Sequence, residues 1–129
     1  MKKALGKVIV AFFVCLLSFA VVSPSPAMAA EYYCILELEP DCLRQLPLSG
    51  DLLHVDIPEF GVNLIYVDFS NFSENDAVVN SSIDSPIFMP PFGRERRTYP
   101  VQPASSVTFS NASRVLETPV QLRVFGYSR

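Results

Sequence analysis

The segment from Ser85 to Tyr99 has the residue types most often found at protein interaction surfaces. It contains Pro86, Pro90 and Pro91, and prolines are excluded from regular central strands. Three arginines follow within four residues, and guanidinium groups bind carboxylates and sulfates. Aromatic residues, Met and Arg are enriched at interfaces. We therefore predict a partner-binding site that consists of Phe88, Met89, Phe92, Arg94, Arg96, Arg97 and Tyr99.

A second interpretation of the same segment stays open at this stage. Its apolar side chains could fill the core, while its arginines are solvated on the surface. Three arginines are in either case too few for a nucleic-acid-binding stripe. The sequence alone does not decide between a core segment and a recognition segment.

Residues for catalysis are scarce. His54 is the single histidine, and Asp56 lies on the same face of a predicted strand, but no serine sits in a G-x-S-x-G turn. We expect His54 to be a surface histidine. Residues 30–129 contain no lysine and no G-x-G-x-x-G motif, which excludes Schiff-base chemistry and a phosphate-binding P-loop. We predict no catalytic residues, no cofactor and no enzyme activity.

Carboxylates and other oxygen ligands give two weaker possibilities. Glu37 and Glu39 could flank a glycosidic bond, but acids on one strand face are usually a solvated edge. The polar stretch 68–76 could bind calcium, although it lacks the order and the glycine of an EF-hand loop. N-x-S sequons occur at Asn71, Asn80 and Asn111, and we expect no glycans there. We predict no metal site.

The amino-terminal end has the pattern of a secretory signal peptide. Lys2, Lys3 and Lys7 precede an apolar run over 8–22, and Ala27-Met28-Ala29 offers small residues for cleavage after Ala29. The run is shorter than the roughly 20 apolar residues of a membrane span. We therefore predict a signal peptide over 1–29, a single domain over 30–129, and a periplasmic or extracellular location.

Export makes the two remaining cysteines a candidate disulfide. Cys34 and Cys42 form an even pair in residues 30–129, and their spacing matches no CxxC metal or redox motif. Those residues contain seven arginines and thirteen acids, which gives a formal charge of −6. Such a balance argues against nucleic acid or anionic lipid as the partner.

Alternating apolar and polar residues predict an all-β domain. Strands are expected over 32–38, 52–57, 62–69, 77–83, 105–110 and 120–125, with a possible short helical turn over 43–48. The strand over 62–69 is apolar on both faces, so we expect it to be covered on both sides. No internal repeat is evident. Six or seven strands suggest a small antiparallel β-sandwich, Ig-like or similar, with an open barrel as the alternative.

Three functions remain compatible with these residues. The first is an exported binding module that recognises a protein or a polysaccharide through the residues of the Pro-Phe-Arg segment. The second is a structural subunit that assembles by strand addition at a free edge of the strand over 120–127, with a homo-oligomer as one form of that assembly. The third is a small secreted enzyme inhibitor.

Overall fold

The computed structural model describes residues 29–128, which form nine β-strands. In chain order these are β1 (Glu31–Ile35), β2 (Asp41–Leu46), β3 (Leu52–Asp56), β4 (Leu64–Asn71), β5 (Ala77–Ser81), β6 (Ile87–Met89), β7 (Arg94–Pro100), β8 (Ser106–Asn111) and β9 (Val120–Tyr127). Within this part of the chain no helix is long and apolar enough to cross a membrane. The predicted signal peptide lies outside the described residues, apart from Ala29.

The strands form two sheets, which confirms the all-β prediction and selects a sandwich over a barrel. The five-stranded sheet has the order β1-β3-β8-β5-β6, and the four-stranded sheet has the order β2-β9-β4-β7. Neighbouring strands are antiparallel except β1 and β3, which are parallel. The core between the sheets contains the inward-facing residues, which are apolar and buried.

The connectivity is that of a jelly roll, so the Ig-like prediction is wrong. From β2 to β9 the chain changes sheet at every connection except the β5–β6 hairpin. Eight strands wound in this way form two interlocked Greek keys. Strand β1 is an addition at the edge of the five-stranded sheet, next to β3.

The two halves of the jelly roll are structural repeats of each other, which the sequence analysis missed. Strands β2, β3, β4 and β5 correspond to β6, β7, β8 and β9, in that order. Exchanging each strand for its counterpart turns the order β7-β4-β9-β2 of the four-stranded sheet into β3-β8-β5-β6, which is the order found in the five-stranded sheet. Residues 67–73 and 107–113 share the pattern Val-x-Phe-Ser-Asn-x-Ser, and they occupy equivalent places in the two halves. The described domain therefore has an internal pseudo-two-fold axis.

Hydrogen bonds and turns follow the same symmetry. The backbone N–H of Asn111 donates to the carbonyl of Asp51, and that of Asn71 donates to the carbonyl of Gly93, both at 2.9 Å. The positive-φ residues also come in pairs. Gly50 and Phe92 occupy the β2–β3 and β6–β7 turns, while Gly61 and Ala104 occupy the β3–β4 and β7–β8 turns.

The repeated phenylalanines meet in the core. Phe69 and Phe109 are fully buried, and their rings contact edge to face with centroids 5.7 Å apart. Strand β4 alternates regularly between buried and half-buried residues. Only one of its faces is therefore covered, and the prediction of a strand buried on both sides is wrong.

Each half contains a buried asparagine that ties two connections between strands together, an arrangement we call an asparagine clamp. The side-chain amide nitrogen of Asn111 donates to the carbonyls of Leu46 and Thr118 at 3.0 and 2.8 Å. Its amide oxygen accepts from the backbone N–H and the hydroxyl of Ser113. These bonds satisfy backbone groups that have no strand partner, as buried polar groups require.

The second clamp, at Asn71, has the same design. Its amide nitrogen donates to the carbonyls of Asn75 and Pro90 at 2.7 and 2.9 Å, and its amide oxygen accepts from the N–H and hydroxyl of Ser73. Both clamp asparagines lie in N-x-S sequons, but their side chains are 0–1% exposed. Asn80, in the third sequon, is exposed.

A disulfide joins the two sheets at the other end of the sandwich, as the sequence predicts. Cys34 lies on β1 of the five-stranded sheet, Cys42 lies on β2 of the four-stranded sheet, and both are fully buried. The chain-entropy estimate for a loop this short is about 2 to 3 kcal/mol. The cross-link holds the β1–β2 turn between the sheets.

Three local predictions were wrong. The segment expected as a short helical turn is strand β2, whose Leu46 packs in the core while Leu43 faces outward. The first strand ends at Ile35, because Leu38 and Glu39 donate backbone bonds to the Ile35 carbonyl in a turn. Strand β9 is paired on both sides, with β2 and β4, so it offers no free edge.

We predict that Asn111→Ala lowers the free energy of unfolding by about 2–4 kcal/mol. The substitution leaves two carbonyls and the Ser113 donors without their partner, and each buried unsatisfied group is costly. Urea unfolding followed by circular dichroism measures the change. Asn80→Ala is the matched control, with an expected effect within about 0.5 kcal/mol. Equal effects of the two substitutions would refute the clamp.

Candidate binding surface

The segment singled out in the sequence forms β6, a tight turn and β7. Both strands are sheet edges, as the three prolines indicate: β6 ends the five-stranded sheet and β7 ends the four-stranded sheet. The segment therefore crosses from one sheet to the other. Its outward side chains are consequently divided between two faces of the sandwich.

Met89 and Tyr99 belong to the core and are removed from the predicted contact set. They are 2% and 4% exposed, and the ring of Tyr99 contacts that of Phe109 at 6.0 Å. Side chains alternate between the two faces along a strand, and both Met89 in β6 and Tyr99 in β7 are at positions that face the core. The core interpretation thus holds for these two residues, while Phe88 and Phe92 are 71% and 65% exposed.

Phe88 is separated from the arginines. It lies on edge strand β6 of the five-stranded sheet, beside a cavity of about 610 Å³ that Arg114 and Val115 also line. Arg94 and Arg96 lie on the outer face of the four-stranded sheet instead. Arg97 is on the opposite face of β7 from Arg94 and Arg96, and it pairs with Glu95 at 3.1 Å at the sheet edge.

Arg96 is held in place on the outer face of the four-stranded sheet. Its Nε donates to the carboxylate of Asp68 at 2.7 Å, and its guanidinium lies 4.9 Å from the ring centroid of Tyr66. The hydrogen bond to Asp68, and then its charge, raise the pKa of Arg96. Since the pair is exposed, it contributes little stability, and its effect is to orient the arginine.

Arg123 completes this surface and was missed by the sequence analysis. Register places Asp68 of β4 opposite Arg96 on one side and opposite Arg123 on the other. Arg123 makes a two-pronged ion pair with Asp41 at 2.6 and 2.9 Å. That hydrogen bond raises the pKa of Arg123 and lowers the pKa of Asp41. No spacing in the sequence indicates this contact.

Arg94 remains available for a ligand. Its guanidinium makes no hydrogen bond or ion pair with any residue in 29–128, and it lines an open cavity of about 390 Å³ on the same face. Phe72, 45% exposed, lines this cavity with Arg96 and Gln121. Asp68 and Glu95 also line the cavity, and they pair with Arg96 and Arg97. The Arg94 guanidinium beside the Phe72 ring therefore suits a partner that presents a carboxylate next to apolar surface.

Phe92 is the most unusual residue at this end of the sandwich. Its φ is +58°, a left-handed conformation that costs an ordinary residue roughly 1–2 kcal/mol. The equivalent turn in the other half has Gly50, which adopts φ +98° without a side-chain penalty. The side chain of Phe92 is largely exposed, so its burial does not offset the strain.

We call Phe72, Phe92, Arg94 and Arg96 the Phe92 surface. The backbone connects its parts: the N–H of Phe92 donates to the Ser73 carbonyl at 3.2 Å, and that of Asn71 donates to the Gly93 carbonyl. The Asn71 clamp also holds the carbonyl of Pro90 in the same turn. The β6–β7 turn is therefore rigidly attached to the β4–β5 loop.

His54 and Glu39, two weaker candidates of the sequence analysis, each contact neighbouring side chains. His54 lies on the outer face of the five-stranded sheet, 3.1 Å from Glu31 and 3.3 Å from the hydroxyl of Thr108. Glu39 pairs with Arg44 at 2.7 Å. Within residues 29–128 no three His, Cys, Asp or Glu side chains are grouped so as to hold a metal.

Comparisons with known proteins give a distant likeness in fold only. No family model matches the chain, and no curated protein matches it in sequence. A de novo designed double-stranded β-helix is 14% identical with a TM-score of 0.39, covering 67% of this chain and 96% of its own. PliG of Aeromonas hydrophila, a periplasmic inhibitor of g-type lysozyme, is 11% identical with a TM-score of 0.44, covering 77% and 99%.

A third solved structure is the Cupin_2 domain of an XRE family transcriptional regulator from Enterobacter cloacae. It is 13% identical with a TM-score of 0.36, covering 70% of this chain and 100% of its own. These likenesses are too distant to carry a function.

We predict that Tyr99→Phe stabilises the domain, and more so at alkaline pH. The Tyr99 hydroxyl is buried without a hydrogen-bond partner, and burial raises its pKa from 10.0 to about 12. Between pH 10 and 12 the unfolded chain releases this proton before the folded chain does, so stability falls as pH rises. Phenylalanine removes that loss.

Thermal unfolding at pH 7 and pH 11 tests this prediction. The gain at pH 7 is expected to be at most about 1 kcal/mol, since only an unsatisfied hydroxyl is removed. The difference between variant and wild type should widen at pH 11. Tyr33→Phe, at a ring that is 52% exposed, is the control. A difference that does not depend on pH would contradict the assignment.

Proposed function

We propose that residues 30–129 form an exported binding module that recognises a protein partner through the Phe92 surface. The observation that carries this proposal is the strained and exposed Phe92, at a turn position where the other half of the domain uses glycine. A residue that costs stability and is not buried is best explained by a contact outside the domain. The fixed turn also limits the entropy lost on binding.

The surrounding charges support a partner with an acidic group. Arg94 has no partner among residues 29–128, and Arg96 is oriented by Asp68 and Tyr66. Bidentate contacts from arginine to carboxylate are short and specific. Exposed aromatic residues close in sequence to arginines have the composition that is enriched at interface hot spots.

Strand addition is a less favoured way to bind. The only free edge of the four-stranded sheet near this surface is β7, whose sequence Arg-Glu-Arg-Arg places charges along it. Charged side chains on an edge strand discourage pairing with another strand. The side chains of the Phe92 surface, rather than a backbone edge, are therefore proposed to contact the partner.

A polysaccharide ligand is the second candidate, and one observation favours it. Phe125, 44% exposed, stacks with Tyr127 at 6.3 Å on the outer face of the four-stranded sheet. Aromatic rings with one open face offer apolar surface to a ligand. Phe125→Ala separates this candidate from the first, because Phe125 is not part of the Phe92 surface.

The test is a comparison of Phe92→Gly with Phe60→Gly. Glycine relieves the strained φ of Phe92, so stability should change by no more than about 1 kcal/mol. Partner affinity should fall at least tenfold, as expected when a central anchor is lost. Phe60, 82% exposed at the opposite end of the sandwich, is the matched control and should bind normally.

The measurement begins with affinity capture from the exported fraction of the source organism, using residues 30–129 as bait. The captured protein is then purified and titrated against each variant by calorimetry. Arg94→Ser should weaken binding as well. A protein bound equally by wild type and Phe92→Gly would refute the proposal. If the partner is an enzyme, loss of its activity on binding would identify the module as an inhibitor.

A further inference from the structure

Asp51 is a buried carboxylate with no cationic neighbour among residues 29–128. Its side chain is 1% exposed. One carboxylate oxygen accepts a hydrogen bond from the backbone nitrogen of Ala30 at 3.0 Å, and the other accepts from the N–H of Leu48 at 2.9 Å. Both donors are neutral amides when Ala30 is joined to Ala29. A buried charge without a counter-charge is costly.

The turn accounts for only one of the two oxygens of this carboxylate. Asp51 is equivalent to Gly93 in the other half, where the same backbone bond to the clamp asparagine forms at the same 2.9 Å without any side chain. In the β6–β7 turn the backbone N–H of Gly93 donates to the carbonyl of Pro90. In the β2–β3 turn the backbone N–H of Asp51 donates to the carbonyl of Leu48 in the same way. One carboxylate oxygen serves the turn by accepting from the Leu48 N–H, a donor that the other half lacks because Pro90 is the equivalent residue. The other oxygen accepts from Ala30, which lies outside the turn.

That additional role concerns the start of β1. The carbonyl of Ala30 accepts from the N–H of Leu52 at 2.9 Å, so the nitrogen of Ala30 is fixed against Asp51. Ala29 and Ala30 are both exposed, which leaves the bond between them accessible. The sequence independently predicts signal-peptide cleavage at this bond, after Ala27-Met28-Ala29.

We propose that Asp51 is the receptor for the free amino terminus created by cleavage between Ala29 and Ala30. Hydrolysis adds one water across this peptide bond, leaving a carboxylate on Ala29 and an amine on Ala30. An α-amino group has a pKa of about 7.7–8.0 in model peptides, so it is protonated at neutral pH. The Ala30 nitrogen then becomes an ammonium group beside the buried carboxylate of Asp51.

Cleavage thus converts a neutral hydrogen bond into an ion pair at a buried position. Charge-assisted hydrogen bonds are roughly twice as strong as neutral ones. The domain is accordingly more stable after cleavage than before it. This inference does not depend on the Phe92 surface, and either can fail without the other.

The sequence allows a clean experiment. Residues 30–129 contain no lysine, so an amine-acetylating reagent, followed by hydroxylamine to reverse tyrosine esters, modifies only the amine of Ala30. The two sheets are complete within residues 29–128, so a chain that starts at Ala30 keeps every strand. Acetylation should lower the folding equilibrium constant about tenfold at pH 7, measured by urea unfolding.

Two variants test whether Asp51 is responsible for the stability that acetylation removes. In Asp51→Asn, acetylation should no longer change the folding equilibrium constant, because the counter-charge is absent. Asp56→Asn, at an exposed carboxylate on β3, is the matched control and should keep the full tenfold loss. Equal stability of the free and acetylated wild-type chains would overturn the proposal, and so would an undiminished loss in Asp51→Asn.

Two further measurements need no variant, in case Asp51→Asn fails to fold. The Ala30 amine of the folded wild-type chain should be acetylated at least tenfold more slowly than that of the same chain in urea; equal rates would overturn the proposal. Mass spectrometry of the exported protein should give Ala30 as the first residue. A different first residue would also overturn it.

Discussion

The two buried asparagine clamps are the interaction on which the rest of the structure depends. A jelly roll brings four loops to one end of the sandwich, and each loop carries backbone groups that have no strand partner. Asn71 and Asn111 satisfy several of these groups with single side chains that donate to two connections and accept from one of the same two. Because the amides are shielded from water, each missing bond would carry its full desolvation cost. The turns at this end therefore have little freedom.

The internal symmetry separates what the fold requires from what it does not. Positions that match in both halves, such as the clamps and the paired phenylalanines of the core, serve the architecture. At the end of the sandwich that carries the clamps, two turn positions break the match: Phe92 stands where the other half has Gly50, and Asp51 stands where the other half has Gly93. Glycine closes the equivalent turn in each case, although the Gly93 turn has Pro90 in place of the Leu48 N–H that donates to Asp51. The departures carry a cost in strain or in buried charge, and we assign them to contacts with a partner and with the amino terminus.

Much of the fold could be predicted from the sequence, because alternation is a local property. The strands β3, β4, β5, β8 and β9 and the disulfide all follow from local pattern or cysteine count. Strand β2 was missed because Leu43 and Leu46 have helical spacing, although they face opposite sides of a sheet. The sheet order could not be predicted, because it depends on pairing between distant strands, but the repeated Val-x-Phe-Ser-Asn-x-Ser pattern does mark two equivalent strand ends.

The candidate site was less predictable for a physical reason. Arg94 and Arg96 could be found because they are close in sequence, whereas Arg123 reaches them only through its register with Asp68. Met89 and Tyr99 were included wrongly, since alternation within short edge strands turns them inward. The strain at Phe92 depends on a backbone angle that no composition reveals. Sequence thus locates the segment, and the tertiary pairing decides which side chains it offers.

The two departures from symmetry also share one end of the molecule. The β2–β3 turn with Asp51 and the β6–β7 turn with Phe92 both lie where the clamps hold the loops, and the chain enters the domain at Ala29 beside Gly50. A leader joined to Ala29 therefore departs from the same end as the proposed binding surface. Cleavage before Ala30 would therefore add the ion pair to Asp51 at the end of the sandwich where the clamps already hold the turns. The two assignments share that end but no residue, so each depends on its own contacts.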